Sequence, residues 1–251
     1  MSRSCISFLF QRGAFKWHQT STKNNGALMF IPAAGLRDFP HPPDYSNIIL
    51  PERRRLKTVE KVPQMPSNQR PPKMPRRNYL MRGPELVHNK LQYCDFGIQA
   101  LTGGRMKWGH YEVLRLGILR KFDESRMFAV WRIDPPWKPM TKKGQGHRMG
   151  GGKGSISHYV CPVRTGRIII EVGGKCEFSD VKGFLSNLAH LMPFPARAVS
   201  KQMLEEERQQ EIEKEERNVN PFSFEYCVKN NIYGCQANLS KYTMLWYGKY
   251  R

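Results

Sequence analysis

Residues 144–154 combine six glycines (Gly144, Gly146, Gly150, Gly151, Gly152 and Gly154) with His147, Arg148, Met149 and Lys153. Glycine lacks a Cβ, so such a backbone can take positive φ and come close to another molecule. Successive N–H groups can also turn inward as an anion-binding nest. Arg148 supplies a planar, forked cation and Lys153 a compact one, a pairing suited to phosphate. A flexible surface loop is the alternative reading of any glycine-rich run. An ATP-type phosphate loop is excluded, because that motif needs Gly, four residues, Gly-Lys, then Ser or Thr. Here the first of those positions is His147, and Gly154 follows Lys153. A strand-like Ser157-His158-Tyr159-Val160-Cys161 then stands where the motif needs a helix.

Other chemistry-bearing residues are scattered. His110, His147 and His158 are candidate bases, and Glu112, Asp123, Glu171 and Glu177 candidate acids, but they form no recognised cluster in sequence. The six cysteines (Cys5, Cys94, Cys161, Cys176, Cys227 and Cys235) include no CxxC pair, so no zinc site is indicated. Cys94, Cys161 and Cys176 lie among apolar neighbours and read as buried, reduced thiols. No catalytic residue, metal site or cofactor is assigned.

The chain has 251 residues and a formal charge of +20, from 41 basic and 21 acidic residues. A charge of that size points to a polyanionic partner, nucleic acid first and an anionic membrane surface second. No apolar run reaches the ~20 residues of a spanning helix, and membrane insertion is not expected.

Four regions are expected around the loop. Residues 1–37 contain no Asp or Glu, are rich in Ser and Thr, and carry Arg3, Arg12, Lys16, Lys23 and Arg37. That composition, with Ile6, Leu9, Phe10, Ala14 and Trp17 on one helical face, matches a mitochondrial transit peptide. Residues 38–95 form a proline-rich basic arm with Arg53, Arg54, Arg55, Arg76 and Arg77, expected to lie extended along a phosphate backbone.

Residues 96–199 form the core. Strands are predicted at 96–101, 127–133, 157–163, 167–172 and 196–199, and helices from Tyr111 to Phe122 and from Ser179 on. Thr165-Gly166 signals a hairpin turn. This order is an α+β fold. Residues 200–251 begin with a projecting, charged helix supported by i, i+4 ion pairs and continue as an aromatic extension.

Lys138-Pro139-Met140-Thr141, followed by Arg148-Met149-Gly150-Gly151-Gly152-Lys153-Gly154, resembles the L-sixteen family of bacterial and organellar large-subunit ribosomal proteins. The resemblance extends over most of 96–199. It implies an α/β-hammerhead domain, with a mixed or antiparallel sheet and two helices, and the glycine loop between strands. It further implies a structural part in the large subunit, bound to large-subunit rRNA near the aminoacyl-tRNA site. The loop would point toward the tRNA and the peptidyl-transferase region. Arg148 and Lys153 would contact phosphates, Lys138, Lys142 and Lys143 would extend the basic edge, and Arg105 and Lys107 would add to it from a strand–helix turn. Such contacts position rather than read sequence.

Three departures fit an organellar version: Trp131 directly before Arg132, a longer link to Lys138, and Tyr159 where bacterial members tend to have another aromatic or a base. That version would reside in the mitochondrial matrix among neighbouring mitochondrial ribosomal proteins. The rival reading is a mitochondrial RNA-processing or RNA-modifying enzyme using the histidines above.

Overall fold

In the computed structural model, residues 43–70, 73–75 and 78–250 are described. The expectations for 1–37 and for Arg76 and Arg77 lie outside them. Residues from Asp44 onward form one unit.

The order of elements follows from short apolar runs broken by turns. Among the described residues seven strands form: β1 (Phe96–Ala100), β2 (Gly104–Lys107), β3 (Met127–Trp131), β4 (Lys138–Thr141), β5 (Ile156–Val163), β6 (Ile168–Gly174) and β7 (Ala196–Ser200). The core helices are α1 (Trp108–Lys121) and α2 (Phe178–His190). Three more follow the core: α3 (Lys201–Glu216), α4 (Phe224–Lys229) and α5 (Lys241–Trp246). The fold is α+β with two antiparallel sheets. One has the order β3-β6-β1-β7 and the other β2-β5-β4.

The run Ile168-Ile169-Ile170 is β-branched and belongs to β6, whose residues are buried from Ile168 to Gly173. Such a run suits a central strand covered on both faces. On one face, Ile98, Ile170 and Val172 join Tyr111, Leu114 and Ile118 of α1 and Val181 and Leu185 of α2 in the main core. At Gly117 a Cβ would come within 2.3 Å of Leu188 Cδ2, so this glycine sets how closely α1 and α2 approach. The rest of the core includes Leu91, Ile168, Val199 and Leu204, a small second cluster.

Glu171, also on β6, is fully buried. Its carboxylate accepts the backbone N–H groups of Gln92, Tyr93 and Cys94 at 3.2, 2.7 and 3.0 Å. The Arg132 guanidinium lies 2.9 Å from it and 5.1 Å from the centroid of the Tyr93 ring. A buried carboxylate is tolerated only when paired and hydrogen-bonded in this way. The segment entering β1 is thereby tied to β6 and to the residue after β3.

Several expectations change in three dimensions. Thr165-Gly166 does make a turn, with Gly166 at φ +85°, but it is not a hairpin. β5 pairs with β2 and β4, whereas β6 pairs with β1 and β3, so the turn carries the chain between sheets. Arg105 and Lys107 are not in a strand–helix turn; they belong to β2, which pairs with β5. The chain before and after Gly103-Gly104 is too short to announce a four-residue strand, and β5 supplies the missing hydrogen bonds. α1 starts at Trp108, where the His110 Nδ1 accepts the Lys107 N–H at 3.0 Å.

Among its described residues the proline-rich segment forms no strand, turns through a short 3-10 helix at Asn78–Met81, and lies on protein over residues 54–59. Ala129 N–H donates to Arg54 O at 3.0 Å, and the Trp131 and Trp108 indoles donate to Lys57 O and Val59 O at 2.8 and 2.7 Å. Leu56 enters the main core. After β7, Ser200 Oγ caps α3 by accepting Met203 N–H at 3.2 Å. Arg197 grips Glu207 of α3 through two hydrogen bonds of 2.5 Å. Of α3 only Leu204 is buried, in keeping with a projecting helix.

Glu171→Ala should cost about 3–5 kcal/mol in urea unfolding, because Arg132 is left buried and unpaired. With Arg132→Ala added, the loss should fall well short of the sum of the two single losses; strict additivity would show that the pair is not coupled. The thiols offer a second check. Burial pushes Cys161 and Cys176 up to about 11 and raises Cys94 further. At pH 8, iodoacetamide should therefore spare all three in the native protein and modify them after unfolding; rapid native labelling of Cys161 would contradict this packing.

Candidate nucleic-acid interface

The three-stranded sheet is the platform of the glycine loop. Its register pairs Lys107 of β2 and Lys138 of β4 with the same residue of β5, Val160, and pairs Met140 with His158. Directly opposed residues in an antiparallel pair point the same way, and side chains alternate along a strand. Arg105, Lys107, Lys138 and His158 therefore share one face. Met106, Cys161 and Val163 point the other way and are buried in the main core. On the basic face Arg105 Nη1 lies 3.9 Å from Met140 Sδ. The Lys138 ammonium donates to Pro75 O, so the arm crosses this face. Lys107 is exposed.

β4 and β5 continue into the loop as two arms of a stem. Lys142 N–H donates to Ser155 O at 3.1 Å and closes its base. Beside that bond, a Cβ on Gly154 would lie 2.7 Å from Lys142 O, so only glycine fits there. Above the stem the backbone reverses through positive φ at Gly146 (+84°), Gly150 (+113°) and Gly152 (+77°). Local bonds hold its shape: His147 N–H to Gly144 O at 3.3 Å, and the Lys143 ammonium to Arg148 O at 3.3 Å.

The tip is bare. His147, Arg148, Gly150, Gly151, Gly152 and Lys153 are exposed, and Met149 is 96% exposed. Among the described residues, the side chains of Arg148 and Lys153 have no hydrogen-bond or ion-pair partner. From Lys138 to Gly154 the chain carries five cations and no carboxylate. Nothing within the segment can neutralise that charge, and the glycines let it enter a narrow cleft.

The structure does not gather every expected cation here. Arg53 is exposed, but Arg54 donates to Glu124 O and Arg55 pairs with the Glu124 carboxylate. All three lie by the β3 edge of the four-stranded sheet. Most candidate acids and bases of the enzyme reading are engaged locally, while His147 stands exposed at the loop tip. Glu112 binds Arg115 at 2.7 Å, Asp123 binds Arg126 at 3.0 Å, and Glu177 caps α2. Burial holds His110 below the usual histidine range, where it accepts the Lys107 N–H. Among the described residues no group of His, Cys, Asp and Glu is placed to hold a metal ion. No described helix is long and apolar enough to cross a membrane.

Spacing gave no sign of the residues that position the stem. Tyr111 Oη donates to Asp134 O at 2.6 Å, and Arg167 bridges Arg132 O and the Asp134 carboxylate, both at 3.3 Å. These contacts hold the link from β3 to β4 and so aim the loop. Their partners lie 23 to 35 residues apart.

Comparison with known proteins agrees with this geometry. The model of the family Ribosomal protein L16p/L10e matches residues 66–199, which include both sheets and the whole loop. The chain is 33% identical over 118 residues to the large ribosomal subunit protein uL16 of Sulfurihydrogenibium sp.. That alignment covers 47% of this chain and 83% of the relative. With more than half its length matched, and with the cationic glycine loop standing between two strands of the matched domain, the chain belongs to the ribosomal protein L16p/L10e family.

Proposed function

We propose that the chain is a structural, non-catalytic constituent of the large ribosomal subunit that binds large-subunit rRNA through the loop and the basic face behind it. The observation that carries this reading is the bare tip: Arg148 and Lys153 unpaired and exposed, on a stem closed at Lys142 and Ser155. A protein that used these cations for its own stability would pair them. Left open, they suit phosphates, whose counterions are released on binding. Lys107, Lys142 and Lys143 broaden the contact, and neighbouring ribosomal proteins would share the remaining surface.

The finer reading is that the loop approaches tRNA in the aminoacyl site, close to the peptidyl-transferase centre, in a mitochondrial ribosome. Support for the first part is shape: a loop with six glycines is thin enough for a cleft already crowded with RNA. Support for the second is the composition of residues 1–37, basic, hydroxylated and free of acid. Arg53, exposed on the arm, would add a further contact to RNA.

Sedimentation of the tagged chain from lysed mitochondria tests the assignment. It should travel with the large subunit and lose that position after RNase treatment. Slow migration as a free protein, or absence from mitochondria, would overturn the corresponding part.

The double variant Arg148→Ala with Lys153→Ala should leave stability within about 0.5 kcal/mol, since neither side chain has a partner in the fold. It should weaken binding to large-subunit rRNA and lower the slope of log affinity against log salt by about two, one per lost phosphate contact. In the ribosome it should slow translation. Unchanged affinity and unchanged translation would rule out a working role for the loop tip.

A further inference from the structure

We propose that the C-terminal extension carries a second RNA contact, in which the ring of Tyr233 stacks on an unpaired base. The inference rests on the large-subunit RNA reading above and concerns residues beyond the family match, which ends at 199.

Charge separates the extension from the helix before it. α3 holds seven glutamates against three cations, whereas residues 218–251 hold Lys229, Lys241, Lys249 and Arg251 against Glu225 alone. Glu225 is neutralised by Lys229 at 2.8 Å. The one Asp or Glu side chain of the extension is thus compensated and does not repel a phosphate backbone, while α3 would repel it. RNA reaching this side of the molecule is thus admitted to the extension and kept off α3.

Tyr233 is built into a position that an aromatic side chain does not favour. Its backbone is left-handed at φ +52°, between Asn231 at +48° and Gly234 at +64°. Glycine or asparagine would take that conformation with less strain. The ring also gains nothing from the fold, being fully exposed at 103%. A strained residue with no internal contact to explain it points to a use outside the fold.

The turn around it is fixed rather than slack. Gly234 N–H donates to Asn231 O at 3.0 Å and Gln236 N–H to Asn231 Oδ1 at 3.1 Å. The Gln236 amide donates to Val228 O at 2.7 Å, and Cys235 Sγ to Cys227 O at 3.3 Å. Further out, Lys229 Nζ sits 5.6 Å from the centroid of the Tyr247 ring, and Trp246 lies against Gly83. A ring held out from a pinned turn loses little freedom on binding.

The form of the exposed ring favours a base over a protein surface. Protein hot spots sit in the middle of packed neighbours that exclude water. Tyr233 stands alone with both faces open, as stacking on a splayed base requires. By contrast Phe222 and Tyr226 are already paired edge to face, 5.9 Å apart.

The test uses large subunits assembled with the full chain. After irradiation at short ultraviolet wavelength, mass spectrometry should find nucleotide adducts on the peptide containing Tyr233 and on that containing Arg148. An adduct on the Arg148 peptide alone, or an amine cross-link from Lys241 to a neighbouring protein in place of the Tyr233 adduct, overturns the stacking contact and spares the parent reading. Absence of both adducts overturns both.

Variants of the full chain, probed with an unstructured RNA oligonucleotide, provide the second arm. Tyr233→Phe should keep the affinity. Tyr233→Asn should weaken it about fivefold, the low end for one base–aromatic stack, without altering the salt dependence. The melting temperature of that variant should stay the same or rise as strain is relieved. A fall in melting temperature, or full affinity in Tyr233→Asn, overturns the proposal.

Discussion

A single buried carboxylate organises this molecule. Glu171 lies on the central strand of the larger sheet with no solvent contact, and it collects three successive backbone N–H groups and one guanidinium. Those four donors come from two parts of the chain, residues 92–94 and Arg132, nearly 80 and 39 residues away from it in sequence. An ionised group in such a place is intolerable if any partner is missing, so the pairing specifies how both segments cross β6. What it fixes also reaches the interface. Arg132 opens the link to β4, and its carbonyl receives Arg167, which in turn holds Asp134. The loop stem is anchored through that chain of contacts.

The distribution of charge follows a simple division. Where cations serve the fold they are paired: Arg132 with Glu171, Arg197 with Glu207, Arg55 with Glu124. At the loop tip they are left open on a backbone that glycine keeps thin. A net charge of +20 opposes a compact state through self-repulsion, and a polyanion removes that repulsion. Membership of a ribosomal protein family accounts for both features at once. The acidic helix α3 is the counterpoint, a surface of seven glutamates against three cations.

Much of the core was legible because its elements are periodic. The β-branched run of β6 and the 3–4 spacing of Val181, Leu185 and Leu188 each report their own burial, whereas β1 alternates in sequence but is buried on both faces. The short strands were not legible. Gly104–Lys107 and Lys138–Thr141 have only four residues each and carry polar side chains; they are strands because β5 lies between them and pairs with both. The Thr165-Gly166 turn was read correctly as a turn and wrongly as a hairpin, since local chemistry sets a turn while strand partners are chosen at a distance. Arg54 and Arg55 resemble any basic arm until Glu124 is seen beside them.

Sequence by itself determined the chemistry of this protein: a glycine-rich cationic loop without carboxylates, a strongly basic chain, an α+β core and the family to which the motif points. These depend on residue type and on neighbours within a few positions, which a linear reading captures. Tertiary structure alone decided which sheet each strand joins, that Arg105, Lys107 and Lys138 share one face, and which arginines remain free. Those outcomes depend on pairings and buried charges between segments tens of residues apart, where the free energy of one contact is settled by all the others packed around it.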